Sequence, residues 1–85
     1  MPVLKNWICI DAFGLPEDPK DFNGARLCGN VYEDHRGIFQ DGESIYTTPI
    51  RTVDIVADGI QVTTRSGTLY ELAWADRRIV DENMV

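Results

Sequence analysis

The stretch from Ile50 to Ala73, IRTVDIVADGIQVTTRSGTLYELA, decides the fold. Two apolar-alternating runs flank Asp58-Gly59, the dipeptide that most strongly marks a two-residue β-hairpin. A third run follows Ser66-Gly67, a second hairpin signal. With two residues in each loop, Ala57 pairs with Ile60, Ile55 with Val62, and Val53 with Thr64. The second hairpin then pairs Thr64 with Leu69, Val62 with Glu71, and Ile60 with Ala73. One face of this meander holds Val53, Ile55, Ala57, Ile60, Val62, Leu69 and Ala73, with Glu71 its only charged member. The other holds Asp54, Gln61, Thr63, Arg65 and Thr68, with Val56, Tyr70 and Leu72 clustered among them. A slip of one residue moves each strand's residues to the opposite face, and the match between turn positions and apolar faces supports this register.

Outward from the meander, the remaining sequence also reads as short strands. Val3 to Phe13 alternates, with Leu4, Ile8, Ile10 and Ala12 on one face and Val3, Lys5, Trp7, Cys9 and Asp11 on the other. Residues 15–24 form an acidic, proline-containing loop with one helical turn after Pro16, anchored to the core by Phe22. Ala25 to Glu33 is a second strand that places Leu27, Gly29 and Val31 on one face, with Gly29 marking a bulge or sharp bend. Asp34-His35-Arg36-Gly37 and Asp41-Gly42 are turns around a brief apolar return at Ile38-Phe39. Ser44 to Thr48 favours a strand, and Pro49 interrupts it because proline cannot donate a ladder hydrogen bond. After Trp74 the alternation stops, and residues 74–85 read as a tail or a short helix over Ala75 to Met84, with Ile79 and Val80 packing inward.

A chain of 85 residues, 44% hydrophobic and 26% charged, is expected to form one domain, residues 1–85, around one core. Five or six short strands with frequent turns give a mainly-β class. The architecture is either a small, strongly bent antiparallel sheet or an SH3-like barrel, with that short C-terminal helix added. The apolar run Trp7 to Ile10 is too short to cross a membrane, and no basic leader or cleavage site precedes it. A cytoplasmic location follows as the expectation, and Cys9 and Cys28 then read as buried thiols rather than a bridge.

No catalytic pattern emerges. His35 is the only histidine, and a lone histidine in a charged turn is the signature of a solvated side chain. Cys9, Cys28 and His35 lack zinc-ligand spacing, and Asp34, Asp41 and Glu43 do not follow a calcium loop. Ser44 and Ser66 have no nucleophile-elbow context, and the scattered glycines build no phosphate cradle. The expectation is therefore no enzyme, no metal and no cofactor.

Binding is the better-supported class. Trp7, Trp74, Tyr32, Tyr46 and Tyr70 are the amphipathic aromatics that dominate interfaces, and Tyr70 with Val56 and Leu72 is the best candidate for an exposed patch. The 14 acidic residues outnumber the 8 basic ones, for a net charge of −6. That balance argues against direct nucleic-acid binding; with the acids spread along the chain it reads first as charge that keeps a small protein soluble, and second as an acidic surface for a basic partner such as a nucleic-acid-binding protein. Glu33, Asp34, Asp41 and Glu43 are the acids assigned to that contact, with Glu17, Asp18 and Asp21 on a neighbouring loop.

Arg36-Gly37-Ile38-Phe39-Gln40-Asp41-Gly42, Ile45-Tyr46-Thr47-Thr48-Pro49-Ile50 and Thr64-Arg65-Ser66-Gly67-Thr68-Leu69-Tyr70-Glu71-Leu72 together resemble small, mostly uncharacterised bacterial and prophage-type β proteins. The resemblance covers about half the chain and implies no activity. It implies a phage or mobile-element origin, in which small acidic proteins act by binding a host protein. The function expected is thus a non-catalytic protein-binding module, in its most specific form an anti-CRISPR-like inhibitor of a host nucleic-acid-binding machine. The alternatives are a self-assembling phage morphogenesis component and, less favoured, a small enzyme centred on His35.

Overall fold

The computed structural model describes residues 1–79, and they are mainly β. Six strands form one sheet: β1 (Val3–Ile10), β2 (Arg26–Tyr32), β3 (Glu43–Tyr46), β4 (Ile50–Val56), β5 (Gly59–Thr64) and β6 (Leu69–Ala73). Their spatial order is β3-β2-β1-β6-β5-β4. Each sequential hairpin is antiparallel, but β1 and β6 run parallel through Val3–Glu71 and Leu4–Leu72. The sheet is therefore mixed rather than purely antiparallel, and it is not closed into an SH3-like barrel. The start of β4 meets the segment that leads into β2, where the Ile50 amide donates to Ala25 O (2.7 Å) and Gly24 N donates to Ile50 O (2.8 Å). Strand pairing stops there, which leaves β3 and β4 as the two edges.

The meander forms, but in a different register. At the first turn Val56 pairs with Gly59 and Ile55 with Ile60, so Ala57-Asp58 is the loop and Gly59 already belongs to β5. That shift is even in parity, so Val53, Ile60 and Val62 keep their common face. The second turn differs by one residue. Thr64 N donates to Thr68 O (3.0 Å) and Gly67 N to Thr64 O (2.8 Å), with Gly67 at φ 89°. This is a three-residue loop ending in a left-handed glycine. Val62 consequently pairs with Tyr70 and Ile60 with Leu72. Tyr70 and Leu72 turn into the core, and Glu71 points to solvent.

A second parity change sits in β1. Asn6 (φ 50°) and Trp7 together oppose Gly29, so the pairing jumps from Lys5–Asn30 to Ile8–Cys28. Gly29 does mark a bulge, as its sequence position suggests, but the extra residue lies on the partner strand. A side chain at 29 would meet the Trp7 backbone and Cβ at 3.2–3.3 Å, so a larger residue there would press on the bulge. Beyond the bulge the inward set switches from Leu4 to Trp7 and Cys9, which the unbroken alternation had placed outside. The core comprises these three with Phe22, Ala25, Leu27, Val31, Ile50, Ile60, Val62, Tyr70 and Leu72. Phe22 anchors its loop as expected, after one 3-10 turn at Pro19–Asp21 capped by the Asp18 carboxylate.

The helix expected over Ala75 to Met84 is absent from its described part. Trp74–Asp76 is one 3-10 turn, Arg77 bridges to Trp7, and Ile79 is exposed rather than packed. Residues 80–85, including Val80 and Met84, lie outside the described residues.

Candidate interaction surface

The four acids assigned to partner contact do come together, in the loop between β2 and β3, but three of them hold that loop in shape. The Asp34 side chain is only 1% exposed. Its Oδ1 accepts from Arg36 Nε (2.7 Å) and its Oδ2 from Phe39 N (3.0 Å). Asp41 Oδ1 accepts from the Glu33 amide (2.9 Å), where Glu33 sits at φ 59°. Glu43 Oε2 accepts from Gln40 N (3.1 Å), and Glu33 is exposed. Arg36 Nη1 then reaches Thr68 Oγ1 (2.8 Å) and docks the loop on the turn between β5 and β6. Glu17, Asp18 and Asp21 belong to the loop that precedes β2, whereas the other four acids follow it.

The hydrogen bond from Arg36, together with those from the Phe39 and Arg36 amides, holds the Asp34 carboxyl below its ordinary value of 3.8. A depressed folded-state value means stability that is present above the unfolded value and lost as pH falls through the folded one. Acidification below about pH 4 is therefore expected to loosen the 33–43 loop. In NMR titrations the Phe39 and Arg36 amides should shift together, and Asp34→Asn should remove that step while leaving Ile50 and Val62 unaffected.

Of the apolar patch read from the meander, only Val56 remains at the surface, 37% exposed on edge strand β4; Tyr70 and Leu72 are 5% and 0% exposed. The exposed aromatics lie elsewhere. Tyr46, 59% exposed, has the Arg26 guanidinium 5.4 Å from its ring, and Lys5 lies over Tyr32 at 5.3 Å. Phe13 is 99% exposed, and among the described residues it has neither a ring nor a cation against it.

The backbone at Phe13 is tied into a hydrogen-bonded turn. β1 ends at Ile10, and Asp11-Ala12-Phe13-Gly14 closes a tight turn in which Asp11 N donates to Gly14 O (2.9 Å) and Gly14 N to Asp11 O (3.3 Å). The Asp11 carboxylate accepts from the Phe13 amide at 2.7 Å. Beside the ring runs an open groove of about 540 Å³, lined among others by Asp11, Leu15, Lys20, Asp21 and Asn23. Leu15 extends the apolar surface at 45% exposure. The sequence did contain a signal for this feature: aspartate at the first and glycine at the fourth position favour a turn. Extending the alternation through Phe13 concealed it.

His35 is exposed in its turn. Among the described residues no group of three His, Cys, Asp or Glu side chains could hold a metal ion. Cys9 and Cys28 are free and belong to opposite faces of the sheet, since Cys9 pairs with Leu27 and Cys28 with Ile8. Burial pushes the Cys9 thiol up to about 12, so it stays protonated and unreactive near neutral pH. No helix among the described residues is long and apolar enough to cross a membrane. Comparison with protein families, with curated proteins and with solved structures gave no match.

Proposed function

We propose that this chain is a non-catalytic protein-binding module that engages a basic protein through the Phe13 turn. The supporting observation is the fully exposed Phe13 ring on a backbone fixed by three hydrogen bonds. The backbone that presents the ring is already ordered by the turn, so binding has only the side chain's own two torsions to fix. Burying it in a partner's pocket returns about 2–3 kcal/mol. The adjoining loop carries Glu17, Asp18 and Asp21 beside Asp11, against Lys20, which pairs with Asp18 at 3.9 Å. That excess of negative charge, in a chain of net charge −6, favours a partner whose pocket has a basic rim. A nucleic-acid-binding protein fits that description, and inhibition of such a protein by a phage-encoded module is the most specific form of the proposal.

Self-assembly through the edge of β4, where Ile55 is 76% exposed, is less favoured. Arg51 and Asp54 punctuate that strand with charge, a pattern that discourages edge-to-edge pairing. Phe13→Ser is expected to leave the unfolding midpoint within about 0.5 kcal/mol of wild type. It should weaken capture of the partner by roughly thirtyfold or more, as loss of an interface anchor does. Wild-type capture should also fall with salt. Undiminished capture by a folded Phe13→Ser protein would refute the proposal.

A further inference from the structure

Arg77 sits among three aromatic rings and two backbone carbonyls. Its guanidinium carbon lies 5.5 Å from the Trp7 ring, 5.8 Å from Phe22 and 5.8 Å from Trp74. In the same group, Nη1 donates to Glu17 O (3.2 Å) and Nη2 to Pro16 O (3.1 Å). The rings are themselves fixed. Trp7 and Phe22 are fully buried and meet edge to face at 6.4 Å, and the Trp7 indole N–H donates to Ala73 O at 2.8 Å. Three aromatic rings and two consecutive carbonyls form a receptor with two separate requirements. The rings favour a flat, weakly hydrated cation, and the carbonyls require two parallel N–H donors in a fork. An arginine meets both, whereas a lysine ammonium offers a point charge without the planar fork.

Trp74 is held in place, its amide on Asp58 O (3.0 Å) and its ring 5.7 Å from Trp7. Beyond the Trp74–Asp76 3-10 turn, the described main-chain link back to β1 is the Arg78 amide on Trp7 O (2.7 Å), reinforced by Arg78 Nε on Asn6 O (3.2 Å). Among the described residues, lifting 77–79 breaks the two Arg78 bonds, the Arg77 amide on Trp74 O (3.1 Å) and the contacts of the Arg77 guanidinium, less than opening the β1–β2 or β4–β5 pair, which places the segment toward the low-stability end of the fold. We propose that the Trp7–Phe22–Trp74 box is an arginine-binding site, closed in the free protein by Arg77 and opened to an arginine of a partner protein when residues 77–79 lift and Trp74 stays in place. This goes beyond the Phe13 reading and does not depend on it. An arginine-bearing partner binds more weakly than its intrinsic affinity by the fraction of molecules with the segment lifted.

The site's chemistry and its accessibility are tested separately. In full-length R77A, ethylguanidinium at about 10 mM should raise the melting temperature while ethylammonium does not, with an affinity in the millimolar range expected of so small a probe. Wild type, whose box is filled, should show no rise with either. If R77A does not fold unaided, ethylguanidinium and not ethylammonium should restore refolding. Equal effects of the two cations, or none, would overturn the receptor. For accessibility, hydrogen exchange of wild type should show the Arg78 amide exchanging about tenfold or more faster than the Ile50 amide, which is bonded to Ala25 O. Equal protection would make Arg77 a permanent plug and overturn binding in trans.

Discussion

Gly59→Ala is expected to destabilise the protein by about 3 kcal/mol or more, measured as the shift in urea midpoint at unchanged m-value. A Cβ built on Gly59 falls 2.1 Å from Leu72 O and 3.0 Å from the Ala73 Cα. Both are backbone atoms of the neighbouring strand, so no side-chain rotation relieves the overlap and β5 and β6 must separate. The backbone at 59 is not left-handed, because the positive φ of this turn belongs to Asp58 at 62°. The cost is therefore steric. Gly37→Ala provides the contrast: nothing lies within 4 Å of its Cβ, but φ is 74°, so it should cost only the left-handed penalty of about 1–2 kcal/mol. Comparable losses for the two variants would mean that β5 and β6 do not pack as described.

Trp7→Ala should be the other severe change, costing about 3–5 kcal/mol. Trp7 is fully buried at the bulge, packs on Phe22 and Trp74, and lies beneath the Arg77 guanidinium. Its removal leaves a cavity, orphans the Ala73 carbonyl and strips Arg77 of a ring. A domain of this length has roughly 4–13 kcal/mol of stability in total, so Trp7→Ala is expected to unfold partly or fully near 37 °C. Trp7→Phe keeps most of the apolar volume and loses the hydrogen bond to Ala73 O, so it should cost distinctly less. Calorimetry that ranked Trp7→Phe as the more damaging of the two would contradict this packing.

Most strands could be read from alternation alone, because one buried face repeats every second residue wherever the ladder is regular. The apolar faces of Leu27-Val31 and Ile60-Val62 came through intact for that reason. The errors arose where one residue breaks the period. Ser66-Gly67 read as a two-residue turn turned Tyr70 and Leu72 outward; the third loop residue, with Gly67 left-handed, turns them in. The bulge at Asn6-Trp7 did the same to Trp7 and Cys9. A glycine in a turn gives no count of loop residues, and an asparagine gives little warning of a bulge. The parallel β1–β6 contact joins positions about 68 residues apart, and no local pattern encodes it. Turn chemistry placed Asp34 and Asp41 between strands, yet charge alone could not show that Asp34, Asp41 and Glu43 are committed to nearby backbone amides. Phe13 was hidden because an apolar residue next to a strand is most simply assigned to that strand.

The central claim is that the Phe13 turn is the face presented to a protein partner. The most direct test is a photo-cross-linking residue placed at position 13 and, in a second protein, at exposed Ile38 on the opposite end of β2. Both would be irradiated in the same bacterial lysate at low salt. The account predicts one saturable adduct from position 13, with a basic protein, competed away by unlabelled wild type but not by Phe13→Ser. An adduct of that kind from position 38 alone, or competition by Phe13→Ser equal to wild type, would contradict it.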